Sequence, residues 1–374
     1  MTLKVLVVDD TILYRRILSE AVNETGLAEV VGTAPGGNAA LAKIRELQPD
    51  LVTLDIEMPG MDGLAVLDAI KKENLGCLVL VVSALTIRGG QLTMSALEKG
   101  AFDFITKPEG ESLDECRKKL VEGLKPLIRA LQSRIEIRSI LGKSLNDAHK
   151  TGRKEISSSI KPVSDSDQPV RTSENRVQSR QNPRMVLIGV STGGPVALVE
   201  VLTRLPGELG VPVFVVQHMP PLFTQPLAES LNSKCRLKVK EAESGEIAVS
   251  GMVYIAPGGS HMRLKAAPEN QIQIEITADP PENNCRPSVD YLFRSVSLNF
   301  PGQAMAVVMT GMGNDGLLGT RLLKRGGCFT IAQDEASSVV YGMPRAIVEN
   351  GLADAVLPLD SIAAKIMGAV RGIF

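Results

Sequence analysis

Short apolar runs alternate with amphipathic stretches along most of this chain, and several of the runs are apolar at every position. A strand of that kind must be covered on both faces. Parallel sheets flanked by helices meet that demand, because each parallel pairing needs a crossover that a helix can supply. From residue 3 to about 125 the runs 4–8, 29–33, 51–55, 78–83 and 102–105 predict strands. Helices are expected at 12–24, 37–47, 63–73, 87–99 and 112–124. Five βα units in that length predict a flavodoxin-like domain with a five-stranded parallel sheet. The alternation restarts at Met185. Strands are expected at 185–189, 211–217, 252–255, 271–276, 304–309 and 328–332. Helices are expected at 195–205, 223–232, 288–299, 316–325 and 344–350. This is a second, doubly wound α/β domain.

Between 142 and 184 the pattern lapses. The stretch has no aromatic residue, is rich in Ser, Lys and Arg, and carries nine Lys/Arg against five Asp/Glu. It holds too little apolar surface to offset its ordering entropy and reads as a linker. The expected division is a first domain at 1–125, a helical extension and flexible linker at 126–184, and a second domain at 185–374. The formal net charge of −1 gives no basic field, and there is no Trp for base stacking, so nucleic-acid binding finds no support. The five Cys are odd in number and show no CxxC spacing. That argues against a structural zinc site and fits a reducing cytoplasm. No run approaches the ~18 apolar residues of a membrane span, so direct membrane insertion is not expected.

Asp9 and Asp10 end the first strand and Asp55 ends the third. In sheet order 2-1-3-4-5 those strands are neighbours, so the carboxylates converge at the end of the sheet where such folds bind ligands. Three acids together need a cation, and an all-oxygen set suits Mg²⁺. Ser83 and Lys107, at the ends of the fourth and fifth strands, are placed to contact phosphoryl oxygens. The Lys107-Pro108 bond is open to either isomer. The motifs VVDD (7–10), LDIEMPGMDG (54–63), VSAL (82–85) and ITKP (105–108) closely resemble two-component receiver domains. That resemblance implies phosphotransfer from a histidine kinase to Asp55, with Mg²⁺ held by Asp9, Asp10, Asp55 and the backbone carbonyl of Glu57. It also makes Ser83 and Lys107 the switch residues, with a shift of the face around the fourth helix and fifth strand.

The second domain opens with a buried strand, the run Gly189-Val190-Ser191-Thr192-Gly193, and a helix. GxSxG at a strand-to-helix turn is a nucleophile elbow that exposes Ser191. A dinucleotide loop would need Gly where Ser191 stands, and a phosphate loop would need GK[ST]. Of the three His in the chain, His149 lies at the linker edge. His218 ends the strand VPVFVVQ, where a general base belongs, and His261 in a Gly-rich loop is a secondary candidate. The order Ser–acid–His would require a Glu, since no Asp lies between Ser191 and His261. Ser–His–Asp stays open. Asp315, in a Gly-rich turn after a strand, is favoured over Asp279, Asp290 and Asp334. The Met312 N–H in the same turn is a candidate oxyanion donor.

GVSTGGP (189–195), VVQHMP (215–220), YIAPGGSHM (254–262), VVMTGMGNDG (307–316) and QDEASSVVYGMP (333–344) resemble the catalytic domain of the CheB-type chemotaxis methylesterases. A receiver followed by this domain is that family's architecture. The resemblance implies a triad of Ser191, His218 and Asp315 with Met312 at the oxyanion hole. It implies hydrolysis of glutamate methyl esters on chemoreceptor helices, releasing methanol and giving adaptation, together with glutamine deamidation. The esterase chemistry is expected to need no cofactor. The implied partners are a chemotaxis-type histidine kinase and methyl-accepting chemoreceptors, in the cytoplasm. The unphosphorylated receiver is expected to pack over the Ser191 cleft. Rival readings are a phosphorylation-switched adaptor with a silent esterase fold and a general small-ester hydrolase.

Overall fold

The computed structural model describes residues 2–108, 110, 112–150 and 182–373, with 133–150 as backbone alone. The first unit runs β1 (Leu3–Val8), α1 (Ile12–Glu24), β2 (Ala28–Ala34), α2 (Gly37–Leu47), β3 (Leu51–Asp55), α3 (Gly63–Lys72), β4 (Leu78–Ser83), α4 (Ile87–Lys99), β5 (Asp103–Thr106) and α5 (Leu113–Lys150). Its sheet has the order β2-β1-β3-β4-β5, with every pairing parallel. β3 is buried at all its positions, as a two-faced strand must be. The Asp62 and Thr86 side chains accept the backbone N–H groups of Ala65 and Gly89 at 2.8 and 2.9 Å, which starts α3 and α4 where the sequence places them.

The fifth helix continues past residue 124, through Pro126, to Lys150, into the stretch read as a helical extension and linker. Leu120, Leu124, Leu127, Ile128 and Leu131 are all buried, so the apolar stripe continues across the proline and keeps that face on the domain core. The rest of the predicted linker, residues 151–181, lies outside the described residues.

The second unit runs β6 (Met185–Val190), α6 (Gly194–Leu202), β7 (Val213–Gln217), α7 (Thr224–Lys234), β8 (Lys238–Glu241), β9 (Met252–Ile255), β10 (His261–Ala267), β11 (Gln271–Thr277), α8 (Val289–Asn299), β12 (Ala304–Val308), α9 (Leu317–Arg325), β13 (Phe329–Gln333), α10 (Met343–Glu349), β14 (Ala355–Leu357) and α11 (Leu359–Val370). Its main sheet is parallel, in the order β14-β13-β12-β6-β7-β9-β8. β8, β10, β14 and α11 were not foreseen. β8 and β14 are short edge strands, too short and too exposed to show an apolar run. β11 forms where expected but pairs antiparallel with β10, outside the main sheet.

The two units pack directly on each other. Phe104 of β5 stacks on Phe223 with ring centroids 4.8 Å apart. Glu98 of α4 accepts the Ser230 hydroxyl at 2.5 Å and pairs with Lys234, both on α7. A Cβ on Gly90 would come within 2.5 Å of the Leu222 carbonyl oxygen, so the α4 backbone itself touches the second unit. No described helix is long and apolar enough to cross a membrane.

Candidate active site

Ser191 leaves β6 at a turn that only glycine permits. Gly193 has φ of +74°, and a Cβ there would lie 2.6 Å from the Val339 side chain. A Cβ on Gly194 would lie 1.9 Å from Gln217 Oε1. The serine backbone is pinned on three sides: its N–H donates to the Thr310 carbonyl at 3.0 Å, and its carbonyl accepts Gly194 N–H at 2.7 Å and Gln217 Nε2 at 3.0 Å. Val190 pairs with Gln217 in the β6–β7 register, which sets Ser191 beside His218. Asp315 follows β12, on the other flank of β6. The strand order reverses between β12 and β6, so the site sits at the switch point of the sheet.

His218 Nε2 donates to Asp315 Oδ2 at 2.7 Å. Asp315 also accepts the Ser288 hydroxyl and Asn283 Nδ2 at 2.9 Å each, and the N–H groups of Val289, Asp290 and Gly316 at 2.6, 3.1 and 3.1 Å. Two of these N–H groups are the free donors at the start of α8, a natural anion site capped by Ser288. Burial pushes the Asp315 carboxyl up, but His218 and these donors outweigh it and hold it at about 2. Burial pushes His218 down, and its bonds to Asp315 and to Cys285 reverse that and carry it up to about 9. The other ring nitrogen, Nδ1, meets Cys285 Sγ at 3.7 Å. Among the described residues no hydrogen bond joins Ser191 Oγ to His218. The Met312 N–H donates to no protein acceptor among them either, and Met312 lines the same cavity as Ser191 and His218.

His261 is not available as a base. It is fully buried and stacked on Tyr291, with Nε2 against the Pro280 carbonyl at 3.0 Å and Nδ1 accepting Ser288 N–H at 3.2 Å. It holds up the loop that carries the α8 cap. The side chain of His149 lies outside the described residues.

In the first unit, Lys107 Nζ lies 2.7 Å from Asp55 Oδ2 and 2.8 Å from Asp9 Oδ2. Asp55 Oδ1 accepts Glu57 N–H at 3.2 Å. Burial raises the Asp55 carboxyl above its usual range, against the lowering effect of Lys107. Asp9, Asp10 and Asp55 offer oxygens within 4.8 Å of one another. The buried Asp9 Oδ2 accepts no well-directed hydrogen bond despite its ion contact, so a lone pair is spare. An all-oxygen set with a spare lone pair fits Mg²⁺. Ser83 stands apart from this cluster in this state, donating to the Gly89 carbonyl at 3.2 Å. Among the described residues the cis peptide bond is Arg286-Pro287; Lys107-Pro108 is not cis.

A cavity of about 600 Å³ lies between the packed units. Ser191, His218 and Met312 line one wall, and Asp103, Ile105 and Lys107 line the other. The first unit therefore forms a wall of the candidate site. Burial lifts Asp103 to about 7, against lowering contributions from Phe104 N–H, the Thr192 hydroxyl and Gly193 N–H. Asp103, Asn283, Cys285 and Ser288 escaped the sequence reading. A Ser just before an amphipathic helix was a legible cap signal for Ser288; the others had none, because their partners are distant in sequence.

Comparison with known proteins follows the same division. The family model described as CheB methylesterase matches residues 186–366, and that of the response regulator receiver domain matches residues 5–118. A protein of Desulfotalea psychrophila named protein-glutamate methylesterase/protein-glutamine glutaminase is 46% identical over 375 residues, covering 99% of this chain and 99% of that protein. One of the same name from Trichodesmium erythraeum is 41% identical, covering 97% of this chain and 98% of that protein. The crystal structure of the Thermotoga maritima CheB methylesterase catalytic domain is 42% identical over 50% of this chain and 97% of that one, with a TM-score of 0.48.

Proposed function

The chain belongs to the CheB methylesterase family, and from that premise we propose that it hydrolyses glutamate methyl esters on chemoreceptors under control of its receiver domain. The same site deamidates receptor glutamines, since ester and amide pass through a like tetrahedral intermediate. Both reactions serve adaptation in chemotaxis. The observation that carries this reading is the bond from His218 to Asp315, itself ringed by protein donors, beside a half-buried Ser191 at one switch point.

Ser191 Oγ attacks the ester carbonyl while His218 Nδ1 takes its proton. Nδ1 is the base because Nε2 is committed to Asp315. Asp315 holds the tautomer and stabilises the imidazolium. Met312 N–H, which has no acceptor among the described residues, donates to the oxyanion. His218 returns the proton to the departing methanol, then draws one from water as the acyl-enzyme is hydrolysed to glutamate. The rival adaptor reading asks for none of this order around Asp315.

Asp55 is the phosphoryl acceptor, with the phosphoryl group coming from a chemotaxis-type histidine kinase. Asp9, Asp10, Asp55 and the Glu57 carbonyl would hold Mg²⁺, which would supply charge neutralisation for the transfer. Lys107 and Ser83 contact the phosphoryl group once it is present. Phosphorylation loosens the packing of β5 and α4 on the second unit and admits the substrate. We assign 1–125 to the receiver, 126–184 to a helical extension and linker, and 185–374 to the esterase, working in the cytoplasm without a cofactor for the hydrolysis.

The test is methanol release from methylated receptor membranes with a small phosphodonor and Mg²⁺. Release should vanish in Ser191→Ala and should lose its phosphodonor response in Asp55→Asn. Undiminished release from Ser191→Ala would sink the proposal.

A further inference from the structure

Cys285 is delivered to His218 by a built turn. Glu282 and Cys285 exchange both backbone hydrogen bonds, at 3.1 and 2.8 Å, across Asn283 and Asn284. Those two residues have φ of 52° and 59°, the left-handed pair that makes a two-residue hairpin turn. The turn is anchored twice. The Glu282 carboxylate accepts Arg294 Nη1 of α8 at 2.9 Å, and Asn283 Nδ2 bridges Asp315 Oδ1 and Asp290 Oδ2 at 2.9 and 3.0 Å. One short hairpin thus touches the Asp315 carboxylate through Asn283 and the His218 ring through Cys285. Cys285 Sγ lies 3.7 Å from Nδ1, the nitrogen that must take the serine proton.

A thiol is a weak donor and a weak acceptor. It can hold a ring nitrogen in place without competing strongly with a hydroxyl. A metal clamp is the other role for a Cys–His–Asp group, but here both Asp315 oxygens are filled by N–H and O–H donors. We propose that Cys285 is a positioning residue for the hydrolysis: its thiol keeps the Nδ1 edge of His218 in the plane that Asp315 sets, and yields that edge to Ser191 when substrate enters. This rests on the reading of His218 as the base. The charged and titratable groups around His218 are Asp315 and Cys285 in contact, Asp290 and Glu282 behind them, and Asp103, Lys107 and Lys119 across the cavity.

The experiment uses full-length protein with phosphodonor and Mg²⁺. Cys285→Ala should lower kcat by about 3- to 30-fold with little change in KM, the pattern of a misplaced base. The acid limb of its kcat/KM profile should move to lower pH, because one partner that raises His218 is gone. Cys285→Ser should restore most of that shift, since a hydroxyl can bond at the same place. Labelling the three histidines with ¹⁵N provides a readout independent of turnover. The His218 titration midpoint should fall in the Ala variant and recover in the Ser variant. A wild-type midpoint and acid limb in Cys285→Ala would overturn the proposal. If His218→Gln kept full turnover in the same assay, the base reading would be the part that failed.

Discussion

Asp55 and Asp315 are both buried aspartates at the carboxyl ends of parallel strands, yet their surroundings are opposite. Asp315 accepts donors from Ser288, Asn283, Val289, Asp290, Gly316 and His218, and is held at about 2. Asp55 has the Lys107 ammonium and Glu57 N–H, and burial raises it. The difference matches the two roles proposed for these carboxylates. A group that orients another must not move or react, so every lone pair is occupied. A group that is to receive a phosphoryl must keep lone pairs free, and it bears the desolvation cost instead.

The largest effect should come from Asp315→Asn, which puts an N–H where the His218 tautomer needs an acceptor. A loss of about 10⁴ in kcat is expected by analogy with other serine triads. The substitution should also destabilise the protein by about 2–4 kcal/mol, from the lost ion pair and the stranded donors. Asp55→Asn should act the other way and raise the receiver's Tm, because it removes a costly buried charge. Thermal unfolding of the two variants tests the contrast directly, and equal signs would break it. Ser288→Ala removes one donor of several, and about 10-fold in kcat is expected, with the loss in KM small.

The pH dependence sharpens the same comparison. His218 is raised from 6.5 to about 9, so its contribution is full below about 6.5 and is lost as pH rises through about 9. Asp315 is lowered from 3.8 to about 2, so its contribution is full above about 3.8 and is lost as pH falls through about 2. The Tm gap between wild type and His218→Gln should therefore be widest near pH 5–6 and close toward pH 9. The smallest effect concerns Asp103, raised from 3.8 to about 7 in the packed state. Its raised value favours packing at low pH, so stimulation by phosphodonor should be greater at pH 6 than at pH 8. Asp103→Asn should flatten that ratio.

The alternating apolar runs determined the two parallel sheets, because a strand covered on both faces has no polar face to vary. Edge strands β8 and β14 escaped, since an exposed edge leaves no such constraint on its residues. α5 runs on across Pro126 because Leu127, Ile128 and Leu131 keep the same face buried on the core.

By itself the sequence nominated Ser191, His218 and Asp315, each at a strand end, and the acids Asp9, Asp10 and Asp55. It left His261 open as a base until burial closed it. Only the tertiary structure decided which nitrogen of His218 meets Asp315, that Cys285 meets the other, and that Asp103 of the receiver lines the esterase cavity. The physical reason is range. Strand periodicity and turn chemistry act among near neighbours and can be read locally. The contacts that tune a site join residues such as Cys285 and His218, or Asp103 and Thr192, which only the packing of separate elements brings together.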